Sequence, residues 1–189
     1  KSFWKKHEGI IIARLSHTKG IFDLIRIWDE VCKSVPDAKL AIIGGGNEQI
    51  KAEIKDRILE FNLQNNIDLL GFQDDNSAFS LLKSSKVFLL PAHEEGFGIS
   101  IAEAMYCNVP VVSWDLEVYK DIFEDYSIQI RENDIYSFAK EVIHLLKDED
   151  KRIKTAKAAS VFVKKYSWKT IAKKEQELIC SLFDKGGSS

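Results

Sequence analysis

Six short runs of Ile, Val and Leu, separated by segments of helical periodicity, restrict the folds open to this chain more than any other feature. They lie at Gly9 to Ala13, Lys39 to Ile43, Ile67 to Leu70, Val87 to Leu90, Pro110 to Ser113 and Ile128 to Ile130. Most show no polar alternation, the pattern of strands buried on both faces of a parallel sheet. Between them apolar residues recur at helical spacing, as in Ile21, Leu24, Ile25 and Trp28, in Ile50, Ile54, Ile58 and Phe61, and in Phe138, Val142 and Leu145. Strand and helix alternating about six times predict a doubly wound parallel α/β sheet of about six strands with flanking helices. After Asp148 the pattern is helical to the end, as a C-terminal extension. It breaks near Tyr166-Ser167-Trp168, where Ser167 can cap a last helix running to about Phe183.

At 189 residues, one core burying about 70% of the unfolded surface is expected. One domain over residues 1–184 is expected, followed by a flexible tail at 185–189 that includes residues added to the natural chain. A start at Lys1 without Met reads as a piece of a longer protein. The 27 Lys and Arg nearly balance the 29 Asp and Glu, giving a net charge of −2. Read as spread along the whole length, these charges leave no basic stripe, and nucleic acid is not expected as a partner. Cys32, Cys107 and Cys180 are odd in number and unpaired by spacing, which suits a reducing cytoplasm. No apolar run approaches the roughly 20 residues of a membrane span, and no signal-peptide pattern opens the sequence. His7, His17, His93 and His144 lack metal-ligand spacing, so no metal is expected; His93 alone falls in the expected cleft, as a minor candidate.

Glycine and proline mark strand ends: Gly44-Gly45-Gly46 after the second, Gly71 after the third, Pro91 after the fourth. Ligands of open α/β sheets bind at that carboxyl edge. The fourth strand leads into HEEGFGISIAEAM, residues 93–105, where a helix starting near Gly98 would aim free N–H groups from about Phe97 to Ser100 into the edge. Those donors, the helix dipole and the close approach that Gly96 and Gly98 permit suit an anionic diphosphate. Glu95 and Glu103 can face one cleft without being adjacent. The alternative is a dipole-favoured charge and an exposed polar position. Against it stand Ile101, Ala102, Ala104 and Met105, apolar company in which a carboxylate needs hydrogen-bond partners. The loop after the first strand places Arg14 and Lys19 at the same edge, as solvated surface charges or as a diphosphate site. Gly45, within the glycine triplet, reads as a tight turn that brings a ligand near the backbone, since neither a dinucleotide fingerprint nor a Walker lysine is present. Phe72 is either packed or a cover for a base or ribose.

In this order the motifs resemble the C-terminal, donor-binding Rossmann-like domain of retaining glycosyltransferases with the GT-B fold, in the large family four, also called glycosyl transferases group 1. The resemblance runs from Arg-Leu-x-x-x-Lys-Gly at Arg14 to Lys19, through the glycine triplet, Gly71-Phe72, Pro91, Glu95-Gly-Phe-Gly, Glu103-Ala-Met and Val109-Pro-Val-Val, to Tyr166-Ser-Trp-Lys. It implies a nucleotide-diphosphate sugar (UDP-, GDP- or ADP-) as donor, with no cofactor and no metal. Glu103 would accept from the ribose hydroxyls and Glu95 would face the transferred sugar. N–H groups around Phe97, Gly98 and Ile99 would hold sugar and phosphates, and Arg14 and Lys19 would neutralise the leaving diphosphate. The acceptor, a saccharide or lipid-linked saccharide, would sit in an N-terminal domain that this chain lacks, so the fragment alone is expected to be inactive. Polysaccharide biosynthesis and a place in the cytoplasm, peripheral at the inner face of the membrane, would follow. The sequence departs from the family at Ser113 to Lys120, which lacks the usual glycine pair, and a bulkier loop around Trp114 is expected to border the sugar pocket. That departure leaves a catalytically degenerate nucleotide-binding module as the alternative. A glycoside hydrolase using Glu95 and Glu103 ranks below both, because it gives Arg14 and Lys19 no task.

Overall fold

A computed structural model describes residues 7–185 of the chain, with side chains as far as Ser181. Of the tail expected at 185–189, Lys185 ends the last helix and residues 186–189 lie outside the described residues. All six apolar runs form strands: β1 (Gly9–Ile12), β2 (Leu40–Ile43), β3 (Ile67–Gly71), β4 (Val87–Leu90), β5 (Val111–Trp114) and β6 (Ile128–Ile130). They pair in parallel in the order β3-β2-β1-β4-β5-β6. β2, β4 and β5 are buried at every position, whereas the edge strands β3 and β6 are only half-buried. This grading follows from helices covering both faces of the central strands.

The helices are α1 (Ile21–Ser34), α2 (Glu48–Glu60), α3 (Asp75–Ser84), α4 (Ile99–Tyr106), α5 (Glu117–Phe123), α6 (Ile135–Lys147), α7 (Glu149–Phe162) and α8 (Trp168–Lys185). α1 presents Ile21, Leu24, Ile25 and Trp28 to the core, as its spacing predicts. Gly9 in β1 makes room for that indole, since a Cβ there would stand 2.7 Å from the Trp28 ring. α1 packs against α6, and α4 against α7. Ser167 precedes α8 and its Oγ accepts from the Thr170 N–H at 3.3 Å, the cap expected from the sequence.

The strand order reverses direction between β1 and β4, and at such a switch point the outgoing loops part to leave a crevice. The loop after β1 carries Arg14 and Lys19, and the loop after β4 carries Glu95 to Gly98. The topology therefore brings the two most informative motifs together across about 80 residues of sequence.

Candidate functional site

The two loops are stitched at several points. The His93 N–H donates to the Thr18 carbonyl at 2.8 Å. Lys19 Nζ lies 2.7 Å from Glu95 Oε2 and 3.4 Å from the Glu94 carbonyl. Both partners of that ion pair are largely withdrawn from solvent, with side chains 20% and 18% exposed. Gly20, which starts α1 at φ 66°, sits against the Pro91 carbonyl so closely that a Cβ would come within 1.7 Å of its oxygen. Only glycine fits there, on grounds of both conformation and space.

α4 starts at Gly98, with φ 87° and no side-chain cap. The N–H groups of Ile101 and Ala102 both close on the Gly98 carbonyl, at 3.0 and 3.1 Å. The N–H groups of Gly98, Ile99 and Ser100 thus precede the helical ladder, as expected from the sequence. Phe97, Gly98, Ile99 and Ser100 line a cavity of about 300 Å³ together with Ile12, Ala13, Lys19, Glu95 and Glu103. The two glutamates therefore do face one cleft. A second cavity of about 680 Å³ shares Ile12 and Ala13 with the first and is lined further by Arg14, Gly44, Gly45, Gly46, Phe72 and Asp75.

The site residues thus fall into two adjoining groups, with Lys19, Glu95, Gly98, Ile99 and Glu103 in one cavity and Arg14, Gly45 and Phe72 in the other. Gly96, exposed on the loop between them and the helix, lies outside both linings; its N–H approaches its neighbour's Glu95 Oε1 at 3.3 Å. Arg14 is exposed, and Gly45 has open space where a Cβ would stand. Phe72 is 81% exposed, so of its two sequence readings the packed one is wrong. Glu103 is half-buried beside apolar neighbours. Burial, and secondarily the Asp75 carboxylate, push its carboxyl above the ordinary range. No side-chain hydrogen bond or ion pair engages it among the described residues, so its oxygens remain available as acceptors.

Two expectations are corrected. His93 lines neither cavity; its Nδ1 stands 2.6 Å from Glu132 and its Nε2 3.0 Å from Asp23, so the ring clamps the β4 exit loop between α1 and the segment after β6. Trp114 does not border the sugar side. β5 continues one residue further than the apolar run suggests, and the indole is fully buried, edge-on to Phe138 at 4.9 Å. What backs the cleft from the divergent segment is α5, whose Tyr119 and Phe123 rings would stand 3.1 and 3.0 Å from a Cβ on Gly98. Burial and the Glu95 carboxylate raise the Tyr119 phenol above its ordinary range. Phe97 packs edge-on to Tyr166 at 5.4 Å, which ties the Tyr166-Ser-Trp motif to the same loop. Sequence reasoning missed Asp75 and Asn47, both lining the Arg14 cavity. Asn47 caps α2 and Asp75 opens α3, each four residues past a strand end, which was the available signal. Among the described residues no group of three or more His, Cys, Asp or Glu side chains is arranged to hold a metal ion.

The sequence profile of the family described as Glycosyl transferases group 1 matches residues 3–177. The chain belongs to that family. The poly(glycerol-phosphate) alpha-glucosyltransferase of Bacillus subtilis strain 168 is 32% identical to this group 1 domain over 170 residues, 86% of this chain and 24% of the relative. The crystal structure of a mutant of S. aureus TarM, in complex with fondaparinux, alpha-GlcNAc-glycerol and UDP, is 26% identical. It superposes with a TM-score of 0.82 over 94% of this chain and 36% of its own. Anabaena HepE in complex with UDP-glucose shares the fold at 22% identity, with a TM-score of 0.82 over 93% of this chain and 49% of its own. The group 1 domain thus spans about a quarter of the Bacillus relative and less than half of either solved chain.

Proposed function

We propose that this chain is the donor-binding half of a retaining glycosyltransferase, holding a nucleotide-diphosphate sugar for transfer to an acceptor bound by an N-terminal domain outside this sequence. The observation that carries the reading is the open start of α4. Its leading N–H groups line a cleft shared by Lys19, Glu95 and Glu103, and Arg14 stands in the adjoining cavity. A helix N-terminus beside two cations suits a diphosphate. UDP is the first nucleotide to test, since the TarM and HepE complexes contain UDP or UDP-glucose.

In this reading the diphosphate lies across the leading amides of α4 with Arg14 and Lys19 to either side. Glu103 accepts from the ribose, and Phe72 covers the nucleoside at the mouth of the larger cavity. As the glycosidic bond breaks, charge accumulates on the leaving diphosphate, and fixed cations with a helix N-terminus stabilise it there without reorganisation. Lys19 is held on Glu95 in the free protein, so an arriving phosphate must share or take over that cation. Glu95 then becomes an acceptor for hydroxyls of the sugar. The acceptor attacks from the face the leaving group occupies, which retains configuration and requires no protein nucleophile. The whole protein acts in the cytoplasm, peripherally at the inner face of the membrane, on a saccharide or lipid-linked saccharide. The domain spans residues 1–184, and alone it binds donor but does not transfer it.

Isothermal titration with UDP, GDP, ADP, UDP-glucose and uridine tests this. A nucleoside diphosphate is expected to bind, and Arg14→Ala to weaken UDP more than uridine. Equal losses for both remove Arg14 from a phosphate role, and absence of binding by every diphosphate sinks the donor reading. Transfer catalysed by the 189-residue chain alone would show that no second domain is needed.

A further inference from the structure

The outer face of α7 and the turn after it answer to a partner other than a nucleotide. Between Lys151 and Lys174 lie nine of the chain's 27 Lys and Arg and none of its 29 Asp and Glu. The rest of the chain therefore sets eighteen cations against 29 acids, a net charge of −11, opposite a tract of +9. The even spread of charge expected from the near-zero total is not what the sequence holds.

α7 buries Ala156 and Ala159 against the body, and Val163 follows them on that side. Its opposite face exposes Ile153, Lys154, Lys157 and Val161, with Ile153, Lys157 and Val161 one above another at four-residue spacing. Ile153 is 51% exposed and Val161 63%. Lys151, Arg152, Lys165 and Lys173 are paired with Glu141, Glu149, Glu124 and Glu177. Lys154, Lys157, Lys164 and Lys169 form no ion pair among the described residues.

We infer that this face docks on an anionic lipid surface. Unpaired lysines supply the attraction to acidic headgroups, and their flexible stems lie flat beside apolar neighbours. Exposed Ile153 and Val161 between cations have no use to a soluble polyanion, whereas at a bilayer they enter the headgroup boundary. The acidic remainder of the molecule is repelled by the same surface, so the charge asymmetry orients the protein as well as binding it. This inference gives a surface to the membrane placement proposed above; it stands on charge and exposure and is independent of the sugar-nucleotide reading.

The test is co-sedimentation of the full-length protein with phosphatidylcholine vesicles, alone or with about a third phosphatidylglycerol. Binding is expected only to the anionic vesicles, falling at least tenfold in about 0.5 M salt. Lys154→Glu with Lys157→Glu should lower it about tenfold or more, and Val161→Ser several-fold, with unchanged circular dichroism. Equal binding to neutral vesicles, or wild-type binding by the charge-reversed variant, overturns the proposal. So does binding to single-stranded DNA or polyphosphate as tight as to anionic vesicles and unaffected by Val161→Ser, which would assign the face to a soluble polyanion.

Discussion

Of the helices that follow a strand, all but α5, which starts at Leu116 in extended backbone without a side-chain cap, begin in one of two ways. α2, α3 and α6 start at Asn47, Asp74 and Asp134, whose side chains accept from the N–H three residues on at 2.8, 3.1 and 3.0 Å. α1 and α4, which follow the two strands at the switch point, start at Gly20 and Gly98 in the left-handed region with no side-chain acceptor. A side-chain cap supplies stability and consumes the donors of the first turn. A glycine start forgoes it and leaves those donors to an incoming anion. The two glycine starts coincide with the switch point, so the fold gives up local helix stability where the proposed donor would return it on binding.

The severest way to break this contrast is Gly20→Ala. The left-handed backbone and the Pro91 oxygen at 1.7 Å from a new Cβ act together, and a loss of about 3 kcal/mol or more is expected in urea unfolding. Next is Glu103, one turn into the open helix. Glu103→Gln should weaken UDP by about 1.5–3 kcal/mol in calorimetry, the scale of a hydrogen bond to a charged group. Its effect on stability has the opposite sign. Because burial raises the Glu103 carboxyl, its stabilising contribution is present below the ordinary carboxylate range and is lost as pH rises through the raised value. At neutral pH the ionised group is a cost, and Glu103→Gln should raise Tm. UDP affinity of the wild type should fall as pH drops through the same value, because a protonated Glu103 accepts less well; a flat profile would remove the carboxylate from the ribose role.

Gly98→Ser would give α4 the hydroxyl cap that its neighbours resemble. With φ 87° and two aromatic rings at 3.0 and 3.1 Å from a Cβ, it should cost about 1–3 kcal/mol of stability and reduce UDP-sugar affinity. The smallest effect sharpens the other side of the comparison. Asn47→Ala and Asp134→Ala should each cost about 1 kcal/mol in melting experiments. Asp134→Ala should leave UDP binding unchanged.

Every strand was legible in the sequence to within one residue at each end; β2, β4 and β5 because strands buried on both faces must be continuous apolar runs, and the half-buried edge strands because Ile and Leu still flank their single polar residues. Ser167 was legible as a cap for the related reason that capping chemistry is local. The candidate residues at the crevice were legible as types at strand ends. Their pairing was not. Nothing in the sequence couples Lys19 to Glu95 rather than to Arg14, or gives His93 the two carboxylates of Asp23 and Glu132. Trp114 misled because an aromatic after a β-branched run reads equally as the last strand residue or the first of a loop, and the choice depends on whether a cavity awaits it. Here Phe138 of α6 supplies one wall. The basic tract over α7 was legible and was hidden by taking the charge as a total.

The sequence by itself determined the alternation of strand and helix, the glycine and acidic positions at the strand exits, and the resemblance to the group 1 glycosyltransferases. These depend on periodicity, backbone freedom and order along the chain, all local properties. Only the tertiary structure decided that β1 and β4 are neighbours, that Glu95 and Glu103 share a cleft with Lys19 while Arg14 stands in the next one, and that Glu103 is half-buried with no side-chain partner among the described residues. Those facts arise from contacts between segments distant in sequence, where burial and Coulomb interaction depend on what the fold brings within a few ångströms.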